Sequence, residues 1–136
     1  MADVVSLWRQ WAPRLLSILR IIAAFMFMQH GAQKLFGLLG GSRGGTVPFL
    51  SQSWIGGVLE FFGGLLILLG LFTRPVAFIL SGMMAVAYFQ VHAPRGFWTI
   101  QNSGELAALY CFVFLYLSAA GGGPWSLDSV WRRVKA

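Results

Sequence analysis

Four long apolar segments occupy most of this 136-residue chain. They cover residues 14–39, 54–72, 75–92 and 103–120, and each is close to the length of about 20 residues with which a helix crosses a bilayer. Hydrophobic residues make up 57% of the chain and charged residues 10%, against about 25% charged residues in soluble domains. The sequence therefore predicts one all-α domain over residues 1–136, a four-helix transmembrane bundle.

Basic residues lie near the ends of these segments rather than in one patch, although the net charge is +6. Basic residues that flank apolar spans set orientation, and the richer side faces the cytoplasm. We therefore predict that both termini are cytoplasmic, and nucleic acid is not an expected partner. Two loop arginines, Arg43 and Arg95, mark the opposite side, and the cytoplasmic set is Arg9, Arg14, Arg74, Arg132, Arg133 and Lys135.

The two tails are predicted to form short helices that lie in the membrane interface. Trp8 and Trp11 belong to an apolar face before the first span, and Trp131 belongs to one after the fourth. Arg20 is the one charge in the inner part of the first span, and we expect its side chain to extend towards the cytoplasmic surface.

Glycines recur along the second span. Gly56, Gly63 and Gly70 are seven residues apart, and Gly57 and Gly64 lie beside them. Small residues at such spacing let membrane helices approach closely, so this face is predicted to pack against another helix. A further residue of the same face, Glu60, is then expected to point into the bundle.

Each span also carries polar residues close to its outer end. A rise of about 1.5 Å per residue places them within about 10 Å of the outer surface. His30 lies one turn deeper than Lys34. The residues of this predicted layer are Lys34, Glu60, Tyr88, His92, Asn102 and Glu105.

The layer predicts a candidate functional site, because a lone charge within a membrane costs about 3 kcal/mol and ionisable residues there commonly serve function. Lys34 is expected to pair with Glu60 or Glu105. The second carboxylate would then hold a proton or share one with a histidine. The predicted proton-exchanging residues are Lys34, Glu60, Glu105 and His30, and the predicted contacts of a quinone head are Lys34, His30, Tyr88, His92 and Asn102. The alternative is that the ion pair only holds the helices in register.

No metal site is predicted. The sequence has no H-x-x-x-H or E-x-x-H motif, and its one cysteine, Cys111, is expected to be a packing residue. His30 and His92 could ligate a haem only if they lay at equal depth, and their different depths in the two spans argue against this arrangement.

Several of these segments together resemble the DoxX family of small bacterial and archaeal inner-membrane proteins. The stretches are "FMFMQHGAQKLFG", "GGVLEFFGGLLILLGLFTRPVA" and "NSGELAALYCFVFLYLSAAGGGPWSLD". The resemblance implies a four-helix protein of the inner (plasma) membrane, linked to respiration, to thiosulfate or quinol oxidation and to oxidative-stress defence, and working beside another redox subunit. The matching positions are His30, Gly31, Lys34, Glu60, Gly63, Gly64, Leu69 to Arg74, Asn102, Glu105 and Ser126 to Asp128.

Three hypotheses of function follow. The first is a quinone-linked redox protein, or the membrane subunit of a quinone or quinol oxidoreductase, with quinone as the cofactor. The second is a non-catalytic anchor or accessory subunit of a larger membrane complex. The third is a small proton-coupled transporter, although no span shows the broken helix that transporters commonly contain. The lipid bilayer is an expected partner in all three, and homo-oligomerisation is left open.

Overall fold

The computed structural model describes residues 3–41 and 45–136, and within these residues the chain folds into six helices. A π-helical turn interrupts α2 at Leu59–Gly63 and α3 at Tyr88–His92, and α3 ends in a 3₁₀ turn. The helices are α1 (Val4–Phe36), α2 (Gln52–Leu69), α3 (Thr73–Arg95), α4 (Thr99–Asn102), α5 (Glu105–Ala120) and α6 (Leu127–Lys135).

Three of these helices, α1, α2 and α3, are long and apolar enough to cross a membrane. A fourth, α5, is apolar but has 16 residues, or about 24 Å of helix. This agrees with the predicted all-helical membrane protein. Two predictions stay predictions: that α5 crosses the membrane, and that both termini are cytoplasmic. Arg43, one of the residues on which the predicted orientation depends, lies outside the described residues.

The predicted interfacial helix at the N-terminus is wrong as a separate element. Asp3 accepts a hydrogen bond from Val5 N at 3.2 Å and caps α1, which then continues through Pro13 for 33 residues. Proline removes only one helical hydrogen bond, and the other backbone groups keep their partners by staying helical. At about 50 Å, α1 is longer than a hydrocarbon core of about 30 Å, so part of it extends beyond the core.

The C-terminal tail does form a helix of its own. The glycine run 121–123 ends α5, and Gly121 and Gly123 adopt positive φ angles that other residues rarely accept. Ser126 then caps α6 by accepting a hydrogen bond from Ser129 N at 3.2 Å. The chain therefore reverses at this point instead of lengthening α5.

Helices α1 and α2 pack through glycines on both sides. A Cβ atom on Gly31 would lie 2.5 Å from the backbone nitrogen of Phe61 and 2.7 Å from the carbonyl oxygen of Gly57. One on Gly64 would lie 2.6 Å from Met28 Cγ. The glycine face of α2 thus packs on α1, as predicted, but the complementary glycine of α1, Gly31, was not predicted to have this packing role.

An aromatic cluster joins α1 to α5. The Phe27 ring meets Tyr110 and Phe114 edge to face, with centroids 5.1 and 4.8 Å apart, and these three side chains are buried. Leu80 and Ala77 of α3 close the same core, and the most extensive helix–helix contact is between α3 and α5. The core therefore involves all four long helices.

At one end of the bundle, the loop after α5 is fastened to α1. Ser17 Oγ donates to the Gly122 carbonyl and accepts from Trp125 N, both at 3.1 Å. Arg20 Nη2 donates to the Trp125 carbonyl at 2.6 Å. The Arg20 side chain extends towards this end, but it does not reach the surface, because the loop covers it completely. We call this end, which also carries Arg74 and the basic residues of α6, the basic end.

Asp128 caps the start of α3 from a distance of more than fifty residues in sequence. Its two carboxylate oxygens accept hydrogen bonds from Phe72 N and Thr73 N, each at 2.9 Å, and its own N–H donates to the Gly70 carbonyl at 2.9 Å. Partial burial raises the pKa of Asp128, but the hydrogen bonds from Thr73 and Phe72 and the charge of Arg132 outweigh it and lower the pKa below its ordinary value. The ionised carboxylate therefore stabilises the fold.

Asp128→Asn is expected to remove an acid-sensitive part of the stability. A lowered folded-state pKa gives stability that is complete above the unfolded value of about 3.9 and is lost as the pH falls through the folded value. We expect the variant to be less stable by about 1 kcal/mol at pH 7, the usual value of a helix cap, with the difference shrinking towards pH 3. Melting temperatures from pH 7 to pH 3 measure this. A difference from wild type that is constant with pH would contradict it, and Glu105→Gln, at an exposed position, is the control.

Candidate functional site

The ion pair at the other end of the bundle joins α1 to α2. Lys34 Nζ lies 2.8 Å from Glu60 Oε1, and it is the one Lys/Arg–carboxylate pair within 4 Å in the part of the chain described. The side chain of Lys34 is 33% exposed and that of Glu60 is 7% exposed. The carboxylate is thus held inside the bundle while the ammonium reaches its edge. We call this end the polar end.

Glu60 lies in the π-helical turn Leu59–Gly63. Such a turn adds a residue to a helix, shifts the side chains that follow it, and occurs often at functional sites. Here the turn lies beside Gly31 of α1, where the backbones are closest. Close glycine packing and the π turn together bring the Glu60 carboxylate within reach of Lys34.

Two buried oxygen atoms near this pair have no hydrogen-bond partner. They are Glu60 Oε2 and the hydroxyl of Tyr110, whose residues are 5% and 6% exposed. The two groups are close enough to interact electrostatically, but no hydrogen bond joins them. A buried oxygen without a partner costs about 1–3 kcal/mol, so a site with two of them is suited to a ligand that supplies the missing bonds.

His30 borders the same site. Its ring meets Tyr110 edge to face, with centroids 6.4 Å apart, and its side chain is half-buried. The four side chains Lys34, Glu60, His30 and Tyr110 therefore form one group, which we call the α1–α2–α5 site. Tyr110 is not among the site residues predicted from the sequence. A tyrosine in the middle of an apolar span was the signal, because its hydroxyl needs a partner when it is buried.

Three further predicted residues form a second group, which joins the end of α3 to α4. Asn102 Nδ2 donates to the Tyr88 hydroxyl at 3.2 Å and to the Gly96 carbonyl at 2.9 Å, and its Oδ1 accepts from Gly104 N at 2.8 Å. His92 Nδ1 lies 3.0 Å from the Asn102 carbonyl oxygen. Because a carbonyl can only accept, Nδ1 carries a proton and donates this hydrogen bond.

Glu105 does not join the ion pair. It is exposed in the first turn of α5 and borders a shallow cavity with Thr99, Ser103 and Leu109. Lys34 thus pairs with one of its two predicted partners, Glu60. As for metals, residues 3–41 and 45–136 contain no group of three or more His, Cys, Asp or Glu side chains that could hold an ion.

The sequence of this chain matches a known protein family. A family model described as DoxX matches residues 15–93, more than half of the chain. The chain belongs to the DoxX family. The matched region includes His30, Lys34 and Glu60 and ends before Tyr110. The part of the site that α5 contributes therefore lies outside the region that the family model covers.

Two relatives of this DoxX protein come from Haemophilus influenzae, and both are described as uncharacterized. One is 43% identical over 127 residues, which cover 88% of this chain and 92% of the relative. The other is 32% identical over 69 residues, covering 51% of this chain and 46% of the relative. No solved structure gives a significant match.

Proposed function

We propose that this DoxX protein binds the head of a membrane quinone in the α1–α2–α5 site and exchanges protons with it there. The observation that carries the proposal is the pair of unpartnered buried oxygens, Glu60 Oε2 and the Tyr110 hydroxyl. A quinone carbonyl accepts hydrogen bonds and a quinol hydroxyl donates them. The tyrosine hydroxyl can donate to the first, and the free carboxylate oxygen can accept from the second.

Lys34 and His30 complete the chemistry of this proposal. The Lys34 ammonium neutralises the Glu60 carboxylate and can donate a hydrogen bond to a second oxygen of the head. The His30 imidazole can both donate and accept a proton, so it suits proton exchange with the aqueous side. Two further parts of the site stay predictions. They are contacts of the quinone head with Tyr88, His92 and Asn102, and a role of Glu105 in proton exchange.

Reduction of a quinone takes up two electrons and two protons, and oxidation of a quinol releases them. In this proposal the α1–α2–α5 site handles the protons, and the electrons pass to or from a redox subunit that binds beside this chain. The protein would then be the membrane subunit of a quinone-linked oxidoreductase in a bacterial or archaeal inner membrane, with its basic end in the cytoplasm. That orientation places the site near the outer surface.

Binding of a short-tailed quinone to the purified protein in nanodiscs tests the proposal. We expect saturating quinone to raise the melting temperature of the wild type. Tyr110→Phe is expected to weaken binding of the quinone, and Glu60→Gln is expected to weaken binding of the corresponding quinol, each by about tenfold, the value of one hydrogen bond. Tyr110→Phe leaves the ion pair intact, so its effect is separate from any effect on folding.

Matched control substitutions are available in α5. Tyr116→Phe and Glu105→Gln change the same residue types at exposed positions of α5, and we expect binding within twofold of the wild type. Failure of saturating quinone to shift the wild type, or equal losses in all four variants, would refute the proposal. If a stoichiometric subunit stays bound in mild detergent and no quinone binds, the result favours the hypothesis of a non-catalytic anchor. Proton-coupled uptake into liposomes would favour the transporter hypothesis.

A further inference from the structure

An open groove at the basic end has a different chemistry from the α1–α2–α5 site. It has a volume of about 600 Å³, which is in the range of about 300–1,000 Å³ typical of small-molecule sites. The groove lies between the start of α3, the end of α5 and the helix α6. Its lining includes both backbone at the turn Gly121–Gly122 and side chains of α6, so it exists only because α6 folds back against the bundle.

Positive charge dominates this groove. Arg74, Arg132 and Lys135 line it, and the one acidic side chain among its lining residues is Asp128. The three cations outnumber the acidic groups even if a carboxylate at Ala136 is counted. None of the three is in an ion pair within 4 Å among residues 3–41 and 45–136.

The acidic side chain of the groove is already committed to the fold. Both oxygens of Asp128 accept backbone hydrogen bonds at the start of α3. The charge of Arg132 acts on Asp128. The side-chain N–H groups of Arg132 donate no hydrogen bond within the described residues. Arg74 donates one of its N–H groups to the Ala119 carbonyl, which holds the guanidinium at the groove.

An aromatic wall gives the groove the character of a membrane interface. The Trp131 ring packs edge to face on Phe72, with centroids 5.9 Å apart, and Lys135 Nζ lies 4.6 Å from the centroid of Trp131. Tryptophan is enriched at the level of the lipid headgroups, and basic pockets beside membrane helices bind acidic headgroups. One side of this groove is thus apolar and the other cationic.

We propose that this groove binds the phosphate of an anionic phospholipid headgroup, held by Arg132, Lys135 and Arg74, with the lipid glycerol region against Trp131 and Phe72. Basic side chains near a membrane surface attract anionic lipid. The bound lipid joins α3 to α6 and thereby fastens the C-terminal helix to the bundle. The site is independent of the quinone proposal, because it lies at the opposite end of the helices.

Lipid binding by native mass spectrometry and by melting temperature tests this site. The purified protein is titrated with phosphatidylglycerol or cardiolipin, with phosphatidylcholine as the neutral headgroup. We expect one anionic lipid to bind and to raise the melting temperature, and phosphatidylcholine to do neither. The double variant Arg132→Gln, Lys135→Gln is expected to weaken anionic-lipid binding at least tenfold. Both residues are exposed, so the variant is expected to fold.

The control double variant is Arg9→Gln, Arg133→Gln, which removes the same two charges at exposed positions outside the groove. We expect it to bind anionic lipid within twofold of the wild type. Equal losses in the two double variants would show a diffuse charge effect and overturn the proposal. A further test adds inorganic phosphate. If phosphate without lipid raises the melting temperature, and if it displaces the lipid at equal concentration, the groove is a small-anion site and the lipid assignment is overturned.

Discussion

Gly31→Ala is expected to separate α1 from α2 and to lower the stability of the protein. The new Cβ would lie 2.5 Å from Phe61 N and 2.7 Å from Gly57 O. Both neighbours are backbone atoms, so no side-chain rotation relieves the overlap and one helix must move. Overpacking of this kind costs about 3 kcal/mol or more, which exceeds the gain of about 1 kcal/mol from replacing a helical glycine with alanine.

The movement would also affect the ion pair. Gly31 lies one turn before Lys34, and Phe61 directly follows Glu60. We therefore expect Gly31→Ala to lower both the melting temperature and quinone binding. Gly82→Ala is the matched control, because a Cβ at Gly82 of α3 meets no atom within 4 Å. That variant is expected to be as stable as the wild type or more stable by up to about 1 kcal/mol. Equal stability of Gly31→Ala and Gly82→Ala would contradict the close packing of α1 on α2.

Lys34→Met is expected to lower stability by about 2–3 kcal/mol. It leaves the Glu60 carboxylate, which is 7% exposed, without its cation in the bundle. Loss of one partner from a fully buried pair costs about 3–5 kcal/mol, and we reduce this value because Lys34 itself is 33% exposed to solvent. The melting temperature and the midpoint of unfolding in a denaturing detergent measure the loss.

A double-mutant cycle separates the charge effect from lost packing. In Lys34→Met, Glu60→Gln the unpaired carboxylate is gone, so we expect the double variant to be more stable than Lys34→Met alone. Arg9→Met removes one exposed positive charge outside the groove and is expected to leave stability nearly unchanged. Additive losses in the cycle would show that the pair contributes nothing as a pair, and the role proposed for Glu60 would lose its basis.

The two predictions together describe how packing positions the site. Glycines at the α1–α2 contact allow the backbones to approach, and this approach brings a lysine of one helix to a glutamate of the other. In a bilayer the apolar faces of helices gain little by leaving lipid, so close contact and buried polar bonds decide which helices associate. The same contact that stabilises the bundle therefore determines which polar groups meet.

Much of the fold could be predicted from the sequence. Apolar length predicted the positions of α1, α2, α3 and α5 to within a few residues, apart from the N-terminal extension of α1. The glycine repeat predicted that Glu60 faces the interior, and one of the two predicted pairings of Lys34 is present. These successes share a cause, because hydropathy and residue spacing report depth along a helix and the face on which a residue lies.

The errors have a cause in common too. Glu105 lies at the depth expected of the polar layer yet points outwards, whereas Tyr110 in the next turns of α5 points inwards. Arg20 is covered by the loop of residues 121–126, and Asp128, in the first turn of α6, caps α3. Such contacts join residues from 55 to 105 positions apart, and no local pattern encodes them.

By itself, the sequence determined that this is an α-helical membrane protein and which segments form its long helices. The tertiary structure alone decided how each helix is rotated about its axis, and hence that Glu60 and Tyr110 share a site with Lys34 while Glu105 does not. The physical reason is that lipid and protein interior are both apolar. A membrane helix can therefore look the same in sequence on the face that meets lipid and on the face that meets its neighbours, and only the close approach of backbones distinguishes them.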